Sequence, residues 1–215
     1  MRLHVLGCYG PYPNAGGAAS GYLLEKWDPA ALSCVLLSHL HFDHCSDMLV
    51  LRYYLEQRGV TLPVYVPPED QSPFRALLSE RCFAVQPYPE TLNVMGLSVT
   101  TLPVCHSVPC RALRIAEGQK ALVFTGDTND CPALPSFAHG ADILLADSAF
   151  LQEEWTAAKP HMCARGAAQL AAAAEAGTLY LTHLPVRHDP ATLVAEARAV
   201  YPGAQTVFPG QVIEL

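Results

Sequence analysis

Residues 38–47 read SHLHFDHCSD, which places three histidines and an aspartate within six positions. Imidazole nitrogens and carboxylate oxygens are common protein ligands of zinc and similar divalent ions. Because side chains two positions apart face the same side of extended backbone, we expect His39 and His41 to bind one cation together. Asp43 and His44 turn away at the start of a helix, and we expect them to face a second cation. The alternative, a set of surface histidines, does not explain why they cluster directly after an apolar segment.

Three further residues of ligand type each end an apolar, strand-like segment. His106 ends TTLPVCH, Asp127 ends ALVFTGD and His183 ends LYLTH. Alone, a histidine at a strand end is usually just a hydrogen-bonded polar group. Ligand-type residues at the ends of several strands are a stronger indication of a metal site, because loops at strand ends converge on one site. The sequence therefore predicts a two-metal centre from the following side chains: His39, His41, Asp43, His44, His106, Asp127 and His183.

Strands and helices mix along the whole chain and must position these residues. Strands are predicted at RLHVLGC, GYLLEKW, LSCVLLS, TLPVYVPP, GLSVTTLPVCH, CRALRIAEG, KALVFTGDT, DILLADSAF, TLYLTHL and AQTVFPGQVIEL. Helices are predicted at 47–59, 69–82, 164–177 and 189–203; the first has Asp at its start and Gly at its end. With no strict repeat, this mixture indicates one α/β domain over residues 1–215, with sheets inside and helices outside.

Composition limits the classes of function. The chain is 51% hydrophobic and 15% charged, and it has no run of 18 apolar residues and no signal segment, so we expect a cytoplasmic protein without a membrane role. Its net charge of −7, with 13 basic residues, offers no positive stripe for a nucleic-acid backbone. The eight cysteines include no CxxC pair and are expected to be buried, reduced thiols.

The motif order H-x-H-x-D-H, then a histidine, then Gly-Asp-Thr, then Thr-His resembles the metallo-β-lactamase fold hydrolases, and more narrowly their ribonuclease Z-like phosphodiesterase branch. The resemblance covers nearly the whole chain. It implies an αββα sandwich, in which two mixed sheets pack face to face with helices outside. It also implies two zinc ions, with manganese as the alternative, and a hydroxide shared by both ions as the nucleophile. The first ion would be held by His39, His41 and His106, the second by Asp43, His44 and His183, with Asp127 bridging both.

The same resemblance suggests catalytic residues. Branch members carry a histidine before an alanine-rich helix, where it assists the leaving group, and His161 in KPHMCARGAAQLAAAA matches it. They also carry an acidic residue that orients this histidine. Asp147 in ADSA matches that residue, although Ala146 replaces the preceding family histidine and HMC replaces His-Ser-Thr. The predicted catalytic residues are therefore Asp43, His161 and Asp147.

The sequence departs from the ribonuclease Z-like pattern in two places, and the first of them changes the expected substrate. Members that process transfer RNA carry a basic, glycine-rich arm, often between the segments that here hold His106 and Asp127, and no such arm fits there. We therefore expect a small or cyclic nucleotide-type phosphodiester, or a short nucleic acid, as substrate. The chain is also short of one strand and one helix between about residues 25 and 32. A homodimer is expected only by analogy with relatives.

Two other functions remain open. The same centre could hydrolyse a carbon-centred ester, thioester or lactam. Alternatively, the chain is a catalytically weakened metal-binding interaction protein. The weaker site candidates lie in loops near the predicted ligands or elsewhere on the chain: Asn14, Ser20, Ser107, His139, Arg187 and His188. His4 alternates within the first strand and is expected to be structural.

Overall fold

The computed structural model describes residues 1–24, 31–69, 71–78 and 81–215. The strands are β1 (Arg2–Gly7), β2 (Gly21–Leu24), β3 (Val35–Leu36), β4 (Leu62–Val66), β5 (Phe83–Pro87), β6 (Leu92–Val94), β7 (Leu97–Pro103), β8 (Arg111–Glu117), β9 (Lys120–Phe124), β10 (Ile143–Asp147), β11 (Thr178–Thr182), β12 (Gln205–Thr206) and β13 (Val212–Glu214). The helices are α1 (Phe42–Cys45), α2 (Asp47–Glu56), α3 (Pro73–Leu78), α4 (Leu134–Phe137), α5 (Ala164–Ala173) and α6 (Pro190–Arg198), and a 3₁₀ turn covers Gln152–Glu154.

The larger sheet has seven strands in the order β12-β11-β10-β9-β8-β7-β6. Strands β9 to β12 are parallel to one another, whereas β6 to β9 pair antiparallel. Strand β10 is buried along its whole length, as expected for a strand covered on both faces. Since β7 and β9 are both antiparallel to β8, the strands β7, β9, β10 and β11 point the same way. Their carboxyl ends therefore meet at one edge of the sheet.

The second layer consists, among the described residues, of two three-stranded sheets, β13-β1-β2 and β3-β4-β5. The first is antiparallel and the second parallel. The large sheet and the β1 sheet share one apolar core, in which Leu3 and Val5 join Leu144 and Leu181. The fold is thus an α/β sandwich of the predicted kind. The strand and helix predicted to be missing at about 25–32 fall largely on residues 25–30, which lie outside the described residues, so this prediction stays a prediction.

Helix α5 shows how composition determines packing. Its buried face is almost entirely alanine, at Ala164, Ala167, Ala168 and Ala171. Small side chains allow this helix to lie close to β10 and β11. The helix begins after Cys163, whose Sγ accepts a hydrogen bond from the Gly166 N–H at 3.3 Å. Residues 161–163 are thereby fixed at the start of a well-packed helix.

Several predicted elements need correction. The strand predicted over 32–38 is only Val35–Leu36, and the helix predicted over 69–82 covers only Pro73–Leu78 within the described residues. The final segment forms two strands in different sheets, because a turn with Gly210 at φ +87° separates β12 from β13. Strands β5 and β6 were not predicted; β5 has little burial after Phe83, and β6 has three residues.

The cysteine prediction holds for most thiols. All eight are free, and six are buried, but Cys34 is only half-buried and Cys105 is exposed. Cys105 differs because it follows the end of β7, in a loop at the sheet edge. Among the described residues, no helix has both the length and the apolar character needed to cross a membrane.

Substitution of Gly126 would show how tightly the turn before Asp127, at the end of β9, is packed. It has φ +62°, and an added Cβ would lie 2.8 Å from the Arg111 carbonyl oxygen and 2.9 Å from the Cys110 Sγ. Gly140 has the same φ of +62° with nothing within 4 Å, so it is a matched control. We expect Gly140→Ala to lower the free energy of unfolding by about 1–2 kcal/mol, from backbone strain alone. Gly126→Ala should cost about 1–3 kcal/mol more from the steric overlap. Urea unfolding would measure both, and equal losses would contradict the tight turn.

Candidate metal centre

The predicted ligands lie together at one edge of the large sheet. His106, Asp127 and His183 follow β7, β9 and β11, whose carboxyl ends meet there. The second layer supplies the remaining ligands from the segment after β3 and from α1: His39, His41, Asp43 and His44. Helix α1 starts at Phe42, so the chain changes from extended to helical between the second histidine and the aspartate. This change turns the two pairs of side chains in different directions, as the spacing predicted.

The first group contains three histidines and Asp127. Its ligand-type atoms all lie within 4.8 Å of one another: His39, His41, His106 and Asp127. The His41 Nδ1 lies 3.0 Å from the His39 Nε2 and 3.1 Å from the His106 Nε2. Ligands at 2.0–2.1 Å from a tetrahedral zinc are separated by about 3.4 Å. The observed spacing is close to what one such ion requires.

The second group contains Asp43, His44 and His183, again within 4.8 Å. The Asp43 Oδ2 lies 3.3 Å from the His44 Nε2 and 3.5 Å from the His183 Nε2. The Asp127 Oδ2 lies 3.2 Å from each of these two nitrogens and 3.6 Å from the His39 Nε2. One carboxylate oxygen therefore contacts both groups, which is the position of a bridging ligand.

Buried polar atoms without hydrogen bonds supply a test of whether a cation fits. Among the described residues, these atoms are all in or beside the two groups: His44 Nε2, Asp127 Oδ1, Asp147 Oδ1 and both ring nitrogens of His183. The His44 and His183 Nε2 atoms are near carboxylate oxygens but are not aligned with them for hydrogen bonding. An unsatisfied buried polar atom costs about 1–3 kcal/mol. A cation in the second group would satisfy the His44 and His183 Nε2 atoms, each of which lies 3.2 Å from the Asp127 Oδ2, so the residues fit a divalent metal.

The charges divide the histidines into two classes. Burial lowers the pKa of His39, His41 and His106, which favours the neutral imidazole that a metal needs. Burial acts in the same direction on His44 and His183, but the negative charges of Asp127 and Asp43 outweigh it and raise their pKa. The first group is thus ready to bind a cation at neutral pH. The second group holds protons that a cation must displace.

Neighbouring groups fix the orientation of the ligands. The His39 Nδ1 lies 3.1 Å from the Ser38 hydroxyl, and the His106 Nδ1 donates to the Pro160 carbonyl oxygen at 2.9 Å. Such contacts hold the ring and leave its other nitrogen directed at the metal position. His183 is held in a different way, since it has φ +54° and its ring would lie 3.2 Å from a Cβ at Gly10. A side chain at position 10 would therefore press on this ligand where the amino-terminal loop passes over it.

His161 and Asp147 lie beside the two groups, and their ligand-type atoms lie within 4.8 Å of those of Asp127 and His183. The His161 Nδ1 donates to the Asp147 Oδ2 at 2.8 Å, and that oxygen also accepts from the Thr128 N–H at 2.9 Å. The His161 ring centre is 4.7 Å from that of His183 and 5.1 Å from that of His106. Asp147 is fully buried. The Nε2 of His161 is left to act on a bound molecule, and the catalytic role of the pair stays a prediction.

Of the weaker site candidates from the sequence, Arg187 and His188 contact residues near His161, and the others have different surroundings. The Arg187 guanidinium lies 5.2 Å from the Phe150 ring centre, which is 6.2 Å from the His161 ring. Arg187 and His188 are both paired with Glu154, at 3.1 and 2.9 Å. The remaining candidates have other surroundings: the Ser20 hydroxyl donates to the Tyr9 carbonyl, His139 is exposed where its carbonyl accepts from Arg114, and Asn14 and Ser107 are exposed.

Sequence reasoning missed several residues at the site. Asn129 is buried and bonds to the loop that leads to His161, and the Tyr22 hydroxyl contacts the Thr182 hydroxyl next to His183. The position of Asn129 in GDTND, directly after a predicted ligand strand, was a local signal. Phe150 and Tyr22 had none, because their proximity to the site depends on packing between distant segments.

Comparisons with known proteins agree with this geometry. Residues 17–184 match the family described as "Beta-lactamase superfamily domain". The chain belongs to the β-lactamase superfamily. It is 32% identical to the "Probable metallo-hydrolase YhfI" of Bacillus subtilis, over 94% of this chain and 95% of that protein. The crystal structure of YhfI, described as a metallo-β-lactamase fold protein, has a TM-score of 0.92 and 30% identity, with 99% of both chains covered.

Similarity to ribonuclease Z places the chain near that branch of the superfamily. It is 43% identical to the ribonuclease Z of Myxococcus xanthus over 101 residues, which cover 45% of this chain and 33% of that protein. Human tRNase Z, short form, has a TM-score of 0.80 at 15% identity, with 100% of this chain and 99% of that chain covered, and so shares the fold. The chain is thus a superfamily member with a candidate His/Asp metal centre, as the motif order predicted.

Metal analysis of variants would test the ligand groups. The wild-type protein, loaded with zinc and desalted, is expected to retain two ions per chain. His39→Ala should lose the first ion, and Asp127→Asn should weaken both because the Asp127 Oδ2 contacts both groups. The exposed His139 supplies a control, and His139→Ala should retain both ions. Mass spectrometry of the metal would measure this, and wild-type stoichiometry in Asp127→Asn would exclude a bridging role.

Proton release would test the charges of the second group. His44 and His183 have raised pKa values in the metal-free protein, so they carry protons at neutral pH, and metal binding requires both to be neutral. We therefore expect zinc binding at pH 7 to release about two protons per chain. The apparent affinity of the second ion should rise with pH. Isothermal titration calorimetry in buffers of different ionisation enthalpy would measure the release, with His183→Ala lowering it; heats that do not depend on the buffer would contradict it.

Proposed function

We propose that this protein is a dinuclear metal-dependent phosphodiesterase that acts on a small or cyclic nucleotide-type phosphodiester. The observation that carries the proposal is the His161–Asp147 pair, bonded at 2.8 Å beside the two ligand groups. A phosphodiester places its departing oxygen opposite the attacking one, so its hydrolysis needs a proton donor at one side of the metal position. Zinc is the proposed metal, with manganese as the alternative, because the donor set is imidazole and carboxylate.

The roles of the residues follow from their positions. The first ion would be held by His39, His41 and His106, the second by Asp43, His44 and His183, and both by Asp127. Two such ions would supply an activated water and stabilise negative charge on the phosphoryl oxygens. Asp147 holds the His161 Nδ1, so that the Nε2 can donate a proton to the departing oxygen.

The size of the substrate is argued from the surface near the site. The segment between the third ligand and Asp127 forms the β8–β9 hairpin, whose ends pair Glu117 with Lys120, and it has no added arm. The net charge of −7 also disfavours a long polyanion. Relatives named ribonuclease Z support phosphodiester chemistry, whereas these two features favour a smaller substrate. We assign the activity to the cytoplasm on the composition of the sequence alone.

Phe150 and the cations around it form a candidate contact surface for the leaving group. The Lys159 Nζ lies 4.8 Å from the Phe150 ring centre, and Arg187 lies over the same ring. Glu154 holds Arg187 through two hydrogen bonds of 3.1 Å. This places positive charge and an aromatic ring next to His161, where an anionic ester with a nucleoside would extend.

A substrate panel would test the proposed reaction. The zinc-loaded protein is expected to cleave bis(p-nitrophenyl) phosphate and a nucleoside 3′,5′-cyclic monophosphate, and to turn over thioester and lactam substrates much more slowly. His161→Ala should lower kcat on the cyclic nucleotide by roughly 10²- to 10⁴-fold, because its alcohol leaves poorly without a proton donor. His139→Ala should be unaffected.

The panel also separates the alternatives. Faster turnover of a thioester, ester or lactam than of any phosphodiester would replace the proposal with carbon-centred hydrolysis. Two bound ions with no turnover of any substrate would indicate a metal-binding interaction protein.

A further inference from the structure

Asn129 connects three segments that meet behind the metal centre. It lies two residues after Asp127, and its side chain is only 6% exposed. Its backbone N–H donates to the Cys105 carbonyl at 2.8 Å, next to His106. Its side chain bonds to the backbone that leads to His161. One buried amide thus touches the segments that supply two ligands and the proposed proton donor.

The side-chain hydrogen bonds of Asn129 are concentrated on a single loop, residues 155–161. The amide nitrogen lies 3.2, 3.3 and 2.5 Å from the carbonyl oxygens of Thr156, Ala157 and Lys159. Its two N–H groups are therefore shared among three acceptors. The side-chain oxygen accepts from the Trp155 indole N–H at 2.9 Å and from the Asp130 backbone N–H at 2.7 Å. This loop is bonded by the amide along most of its length.

The loop carries two groups on which the site depends. The Pro160 carbonyl accepts from the His106 Nδ1 at 2.9 Å, and His161 follows directly. The loop also borders a pocket of about 230 Å³, partly open to solvent, whose lining includes Asn129, Trp155 and Met162. The hydrogen bonds of Asn129 therefore hold the loop beside a space that other side chains do not fill.

We propose that Asn129 is a positioning residue that sets, through this loop, both the orientation of His106 and the place of His161. The part of this inference that concerns His161 rests on the proposed function. The part that concerns the orientation of His106 does not. Only an amide can act at this position. Its nitrogen donates to three carbonyl oxygens while its oxygen accepts two N–H groups. A carboxylate of the same shape would face those three oxygens as an acceptor and repel them.

Asn129→Asp tests the proposal with little change in shape, and Asn93→Asp is the matched control because Asn93 is exposed on β6. Zinc affinity would be measured by chelator competition on the full chain. We expect Asn129→Asp to displace the Pro160 carbonyl from the His106 ring and to weaken the binding of one of the two ions by up to roughly 10- to 100-fold, the typical cost of losing the hydrogen-bond partner of a ligand. Asn93→Asp should match the wild type. Unchanged zinc affinity in Asn129→Asp would overturn the role at His106.

Leaving-group dependence tests the role at His161. Departure of p-nitrophenolate needs no proton donor, whereas departure of the alcohol of a nucleoside cyclic monophosphate does. We expect kcat of Asn129→Asp to fall at least 10-fold further on the cyclic nucleotide than on bis(p-nitrophenyl) phosphate. An equal fall on both substrates would show a merely structural effect and overturn this part.

A second variant covers the case in which Asn129→Asp does not fold. Trp155→Phe removes one of the two N–H groups that the Asn129 oxygen accepts, the one from the loop itself, and leaves most of the ring. Loss of one such hydrogen bond should produce the same two effects at roughly 2- to 10-fold; no effect on either would overturn the proposal. If the wild type cleaves neither phosphodiester, the proposed function fails, and the zinc measurement still decides the role of Asn129 at His106.

Discussion

The buried charge of Asp127 is the constraint around which the site is organised. Its carboxylate is 2% exposed and lies 3.2 to 3.9 Å from nitrogens of His39, His44, His161 and His183. An unpaired buried carboxylate costs several kcal/mol, so the fold must surround it with positive charge. Imidazolium groups supply that charge in the metal-free protein, and divalent ions would supply it in the metal-bound form. The same electrostatic requirement therefore governs folding and metal binding.

The direction of the strands explains why so many polar groups meet there. Strands β7, β9, β10 and β11 all end at one edge, and each is followed by a residue of the site or ends in one. A metal held by residues from 39 to 183 links both layers, so its binding free energy would add to the stability of the fold.

The two sides of the site differ in the residues that they present to a bound molecule. One side is closed by the amino-terminal loop at Gly10 over His183. The other side carries the loop that ends in His161, with Phe150 and two cations beside it. In the proposed reaction, proton donation and contact with the leaving group would be restricted to this side. The Asn129 side chain bonds to the same loop, which borders a pocket of about 230 Å³.

The sequence by itself determined which candidate ligands exist, their order and the strand that each follows, because strand periodicity and turn signals are local properties. It also identified Asp147 and His161, through motif resemblance. It did not determine that the second layer forms two three-stranded sheets, or that the last apolar segment is shared between two sheets. Only the tertiary structure placed Asn129, Phe150 and Tyr22 at the site. Their contacts join segments that are far apart in the chain, and which of these meet depends on how the whole core packs.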